Sequence, residues 1–98
     1  MRCQKLFEKG CIGGVEIRNR VAMTAMGNGL ASWDGEVSLE LIRFYEDRAR
    51  GGCGLIFTEF TRMDETSGAC NPNQLCIATR KHIRSTERVR CHGARICV

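Results

Sequence analysis

The stretch RARGGCGLIFTEF, Arg48 to Phe60, carries two patterns and the break between them. Arg48, Ala49 and Arg50 continue a helical periodicity from upstream. Gly51 and Gly52 interrupt it, and either can take the left-handed conformation that ends a helix without strain. From Gly54 to Phe60 the chain is apolar, with one charge at Glu59, as in a buried strand. A helix that enters a strand through a short glycine turn is half of a β-α-β unit, whose strands lie parallel.

The other half lies upstream. Arg20 to Met26 is nearly unbroken in apolar character and predicts a strand covered on both faces. A glycine-rich loop, GNGLASWDGE, follows it. Ser38 then stands as an N-cap, with Glu40 in the first turn where a helix N-terminus favours negative charge. The helix LELIRFYEDRARG places Leu41, Ile42, Tyr45 and Ala49 on one face at helical spacing. Before all of this, Gly13-Gly14 between two short apolar pieces predicts a hairpin turn. Downstream, residues 61 to 75 form a polar loop containing the single proline, Pro72, and LCI is a short apolar patch. A weaker helix spans Thr79 to His92 with Ile83, Val89 and Cys91 as its core candidates. Gly93 ends it, and ARICV opens a third strand.

The order is β-α-β-α-β with a leading hairpin, an α/β class. Parallel strands need both faces covered or a closed barrel. Three strands and two helices supply neither, so the chain is expected to be the first part of something larger.

Composition narrows the function classes. The 98 residues carry a net charge of +4. The basic run Arg80-Lys81-His82-Ile83-Arg84, with Arg88, Arg90 and Arg95, reads as a solvated helix face. No aromatic residue interleaves with it, so no nucleic-acid partner is expected. Both His82 and His92 are read as surface residues. The seven cysteines are odd in number and form no C-x-x-C pair. MRCQKLFEKGC has no apolar h-region, and no apolar run approaches a membrane span. The expectation is a reduced, cytoplasmic chain with no membrane partner, buried or incidental thiols and no metal ligands.

Two longer segments, KLFEKGCIGGVEIRNRVAMTAMGNGLA and DGEVSLELIRFYEDRARGGCGLIFTEFTRMDETSGACNPNQLCI, carry a family pattern. Asn19-Arg20, Ala25-Met26-Gly27, Asp34-Gly35, Arg48-Ala49-Arg50-Gly51-Gly52 and Asn71-Pro72-Asn73-Gln74 occur in its order and spacing. The chain resembles the N-terminus of the old yellow enzyme family, the FMN-dependent NADH:flavin oxidoreductases. Within it the chain is most similar to the branch with 2,4-dienoyl-CoA reductase and enoate reductase. The resemblance implies that residues 1–98 are the truncated N-terminal portion of an FMN-binding (β/α)₈ TIM barrel, with the hairpin plugging its base and GLIFTEF as its second strand. It also implies an oxidoreductase that moves hydride from NAD(P)H through FMN to the activated C=C bond of a small enoate or 2-enoyl substrate.

The resemblance assigns cofactor-binding positions. Thr24, Ala25, Met26 and Gly27 match the segment whose backbone lines the flavin ring. Phe60 falls where relatives place a second flavin-lining residue, through its backbone or as a core plug. Trp33 is expected to pack within its loop. Glu59 is a buried charge paired elsewhere and not catalytic. No catalytic residue is assigned: the family's proton-donating tyrosine, substrate-holding histidine pair and phosphate site all fall after Val98, as does any iron–sulfur cluster. Three departures stand out. Ala25 replaces a common proline, Phe60 replaces a small residue, and the segment from His82 to Gly93 is shorter than the family pattern.

The chain alone is therefore expected to be inactive, with strand edges that favour self-association. The alternatives are a non-catalytic remnant, a stand-alone binding module that reuses three barrel strands, and a cysteine-based metal or redox protein.

Overall fold

The computed structural model describes residues 3–64, 73–86 and 93–98. Pro72, Val89, Cys91 and His92 lie outside the described residues, as do Asn71, Cys70, Arg88 and Arg90. The chain opens with a single helical turn, α1 (Gln4–Phe7), which the sequence pattern did not announce. A hairpin follows, β1 (Gly10–Ile12) antiparallel to β2 (Val15–Ile17), turning at Gly13-Gly14 as expected.

The remaining elements are β3 (Ala22–Met23), α2 (Leu39–Arg50), β4 (Leu55–Phe57), α3 (Arg80–Thr86) and β5 (Arg95–Cys97). Their strands form a parallel sheet in the order β3-β4-β5, registered as Met23 with Ile56 and Ile56 with Ile96. The β-α-β reading of Arg48 to Phe60 is thus the fold. The three strands do not close into a barrel. Among the described residues no helix is long and apolar enough to cross a membrane.

The core lies between α2 and the sheet. Leu41, Tyr45 and Ala49 face Ile56 in one cluster that also takes in Ala31, Val37, Ile42, Leu75 and Ala94. The helix face read from the sequence is the buried face. The Ser38 hydroxyl accepts the N–H of Leu41 at 3.1 Å, which satisfies one of the free donors of the first turn. Its own proton goes to the carbonyl of Leu30. At the other end Gly51 stays right-handed, and Gly52, at φ 109°, makes the reversal.

Polar side chains tie the N-terminal ends of the strands together. The Arg18 guanidinium donates to the carbonyls of Ala49 and, at 2.8 Å, Cys53, closing the C-terminal end of α2. Asn19 accepts the Val21 N–H at 3.1 Å and donates to the Gly52 carbonyl. A Cβ at Gly54 would run into the Asn19 side chain and carbonyl. The Asn19 motif and the glycine turn after α2 are therefore two sides of one contact.

Two elements differ from expectation. The first strand was expected to reach Met26, yet pairing stops at Met23. The Leu55 N–H bonds to Val21, so alternate N–H groups of β4 face β3. The next such group beyond the strand, on Glu59, is taken by the Tyr45 hydroxyl instead. The second difference is in α3. Ile83 is 48% exposed, while His82 and Ser85 are buried. The His82 ring lies 2.8 Å (Nε2) from the Asp34 carbonyl and 3.0 Å (Nδ1) from the Thr79 hydroxyl. Since a carbonyl only accepts, Nε2 carries the proton and Nδ1 accepts from Thr79. Ser85 accepts the Val37 N–H at 3.1 Å and donates to the His82 carbonyl. Hydrogen bonding makes these polar groups fit for burial.

Gly54→Ala is expected to destabilise the protein by about 1–3 kcal/mol, because a methyl group must displace Asn19. Gly14→Ala, which meets no atom within 4 Å, is expected to change stability by at most about 0.5 kcal/mol. Urea midpoints of the two variants against wild type check both.

Candidate functional site

β3 and β4 are parallel neighbours, so the segments that leave their C-terminal ends emerge at the same end of the sheet. Thr24, Ala25, Met26 and Gly27 leave β3, and Phe60 follows β4. All five are exposed, Met26 at 49% and Phe60 at 50%. The backbone N–H and C=O groups of Thr24 to Gly27 enter none of the hydrogen bonds among the described residues. Three consecutive peptide units, from the Thr24 carbonyl to the Gly27 N–H, are left uncommitted at the open end of a parallel strand.

A buried polar cluster lies just behind them. Glu59 is 3% exposed. One carboxylate oxygen accepts the N–H of Asn28 at 3.1 Å, and the other accepts the N–H of Leu75 at 3.0 Å. The Tyr45 hydroxyl, reaching up from α2, accepts the Glu59 N–H at 2.7 Å. Burial raises the Tyr45 pKa above its ordinary 10.0; the Glu59 N–H opposes this, and the Glu59 carboxylate adds to it. The Asn73 backbone is left-handed at φ 54°, a conformation asparagine tolerates better than most side chains, and it leads directly to buried Gln74 and Leu75.

The loop between β3 and α2 is pinned at several points. Asn28 accepts the Leu30 N–H at 3.3 Å, and a turn closes between Ser32 and Glu36. Gly35, at φ 89°, packs against Cys76, where an added Cβ would come within 2.5 Å of the Cys76 Cβ. Its carbonyl accepts the Cys76 N–H. Lys81 stands 3.3 Å from Asp34 and 3.6 Å from Glu36. Burial pulls the Asp34 pKa upward, but the Glu36 N–H and the Lys81 ammonium outweigh it and hold the carboxyl below its ordinary value. Trp33 does not pack within this loop: it is 86% exposed at the turn. Its turn is closed by backbone bonds between Ser32 and Gly35 and between Ser32 and Glu36, and by the Glu36 N–H donating to the Asp34 carboxylate at 3.3 Å.

A sequence profile of the NADH:flavin oxidoreductase / NADH oxidase family matches residues 5–98. The chain belongs to that family. It is 41% identical over 95 residues to NADH oxidase of Thermoanaerobacter brockii, covering 93% of this chain and 15% of that protein. It is 36% identical over 101 residues to cinnamate reductase of Clostridium sporogenes, again covering 93% of this chain and 15% of the relative. The old yellow enzyme homologue of Zymomonas mobilis superposes with a TM-score of 0.81 at 25% identity, over 94% of this chain and 26% of that structure. The old yellow enzyme neighbours are TIM barrels, and this family member corresponds to their N-terminal part.

Sequence reasoning missed the clustering of Glu59, Tyr45 and Asn28, and the burial of His82. Signals were present. A single carboxylate inside GLIFTEF and a tyrosine on an otherwise aliphatic helix face are both polar groups that need partners once buried. Among the described residues no group of three His, Cys, Asp or Glu side chains could hold a metal ion.

Tyr45→Phe leaves the buried Glu59 N–H without an acceptor, and a loss of about 1–3 kcal/mol is expected. Its pH dependence has a definite sign. Folded Tyr45 holds its proton more tightly than unfolded, so its contribution is complete below pH 10.0 and falls as pH rises toward the raised folded value. Stability curves of wild type and Tyr45→Phe should therefore converge above pH 10.0.

Proposed function

We propose that this chain forms the flavin-ring side of an FMN-dependent reductase of activated C=C bonds. The observation that carries this reading is the run of four exposed residues with unengaged backbone, Thr24 to Gly27, at the C-terminal ends of parallel strands. TIM barrels place their chemistry at that end. The chain spans about 15% of the length of the first two relatives named above, so activity and substrate belong to the whole protein.

The residues present fit a flat, partly polar ring. Thr24, Ala25, Met26 and Gly27 offer peptide donors and acceptors to its edge, and such groups tune a flavin's electronics. The Met26 side chain and Phe60 supply exposed apolar surface to exclude water beside it. When bound, FMN supplies hydride transfer from NAD(P)H to the carbon of an activated double bond. No side chain of this chain is assigned to proton transfer. The similarity to a cinnamate reductase supports an α,β-unsaturated carboxylate or thioester as substrate, and NAD(P)H as reductant supports a cytoplasmic setting. Isolated from further strands, β3 and β5 are the outer strands of the sheet, and self-association through them is part of this proposal.

The experiment is purification of the whole protein with its chromophore, followed by NAD(P)H oxidation with cinnamate and with its saturated analogue. Bound FMN and consumption only with the unsaturated acid are expected. A whole protein without flavin would overturn the reading, and flavin without enoate reduction would overturn the substrate class. Gly27→Val, which puts a β-branched side chain where the backbone must approach the ring, is expected to weaken FMN binding about tenfold or more, roughly 1.4 kcal/mol. Arg84→Ala, on the exposed face of α3, is expected to leave it unchanged. Flavin retention on dilution measures both.

A further inference from the structure

We propose that Glu59 is a positioning residue that sets the backbone of the flavin-lining loop by tying the loop after β3 to the loop after β4. This rests on the flavin reading of Thr24 to Gly27. Glu59 is 3% exposed, and among the described residues it makes no ion pair. A buried carboxylate without a cation is costly unless hydrogen bonds compensate it. Here two backbone N–H groups do so, one from each loop: Asn28 at 3.1 Å and Leu75 at 3.0 Å.

The Asn28 N–H belongs to the peptide unit that carries the Gly27 carbonyl. That unit is planar and trans, so its N–H and C=O point in opposite directions. With the N–H held by the carboxylate, the Gly27 carbonyl is directed away from Glu59. Phe60 follows Glu59 directly, and the Glu59 N–H is fixed by Tyr45 at 2.7 Å. Both proposed flavin-facing pieces thus sit one residue from the same clasp. A shift of Glu59 moves Gly27 and Phe60 together, and the loop carrying Leu75 is coupled to them.

Glutamine cannot replace this arrangement. Both carboxylate oxygens accept from N–H donors, whereas an amide offers one oxygen and one NH₂. Either orientation sets donor against donor at Asn28 or at Leu75. Glu59→Gln, with Ile56→Val as a core control, is compared with wild type in the flavin-loaded whole protein. The readings are FMN dissociation constant, amide exchange at Asn28 and Leu75, and melting temperature without flavin. The expected result is FMN binding weakened about tenfold, faster exchange at one or both amides, and a melting temperature lowered no more than in Ile56→Val. FMN affinity within twofold of wild type, or an equal loss in Ile56→Val, would overturn the proposal. Should Glu59→Gln not fold, Glu59→Asp, whose shorter arm cannot span both donors, is read by the same criteria. If the wild-type whole protein takes up no FMN, the flavin reading falls by itself. The clasp is then judged on exchange alone, which supports it if faster in the variant and overturns it if unchanged.

Discussion

Ile56 at the centre of β4 has no solvent exposure, and the rest of the chain is arranged around covering it. A central parallel strand pairs on both edges, here with β3 and β5, so its buried face can be closed only by a crossover helix. That helix is α2, which brings Leu41, Tyr45 and Ala49 against Ile56. The fit depends on where α2 begins and ends. Ser38 fixes its start, and Arg18, Asn19 and the Gly51-Gly52 turn fix its end. The hydrophobic contact and the polar ties at the two ends therefore act together. Apolar area supplies the driving force, and the hydrogen bonds decide which register of helix on sheet is taken.

The two ends of the sheet do different things with their polar groups. At the N-terminal end, Arg18 and Asn19 close carbonyls that the helix and the turn leave open. At the C-terminal end, Tyr45, Glu59, Asn28 and His82 hold loops by their backbone. The loop after β3 is pinned at Asn28, at Asp34-Gly35 and at Val37, while Thr24 to Gly27 are not. Rigid support beside an open segment is what a preorganised binding site requires.

How much of this was legible in the sequence follows from how each element is buried. α2 was read correctly in extent, cap and face because its burial is apolar, and apolar periodicity is the signal a sequence shows most plainly. On α3, Ile83 was read as core and His82 as surface, and both are reversed because the burial of its described residues is polar. His82 and Ser85 go inward on hydrogen bonds to Asp34, Thr79 and Val37, partners up to 48 residues away that no local pattern reveals. Trp33 misled in the opposite direction, since a large apolar side chain was expected to find cover in its loop and stands 86% exposed. The candidate site was legible as a segment, Thr24 to Gly27 and Phe60, through the family resemblance. Its support was not, because Glu59 acts through backbone N–H groups that carry no residue identity.

The same hydrogen bond that buries Tyr45 also explains why the candidate site lies where it does. Tyr45 and Ile56 both belong to the core, so the tyrosine ring must reach along the sheet with its hydroxyl ending at the tip of β4. There it takes the Glu59 N–H, the donor that would otherwise have extended the ladder to the segment after Met23. The first strand is consequently only two residues long, and the chain beyond it leaves the sheet with its peptide groups uncommitted. The Glu59 side chain, anchored by its own backbone, then turns to accept Asn28 and limits how far the released segment can drift. A core packing requirement, a shortened strand and an open stretch of backbone are thus successive consequences of placing a tyrosine rather than an aliphatic residue on the buried face of α2.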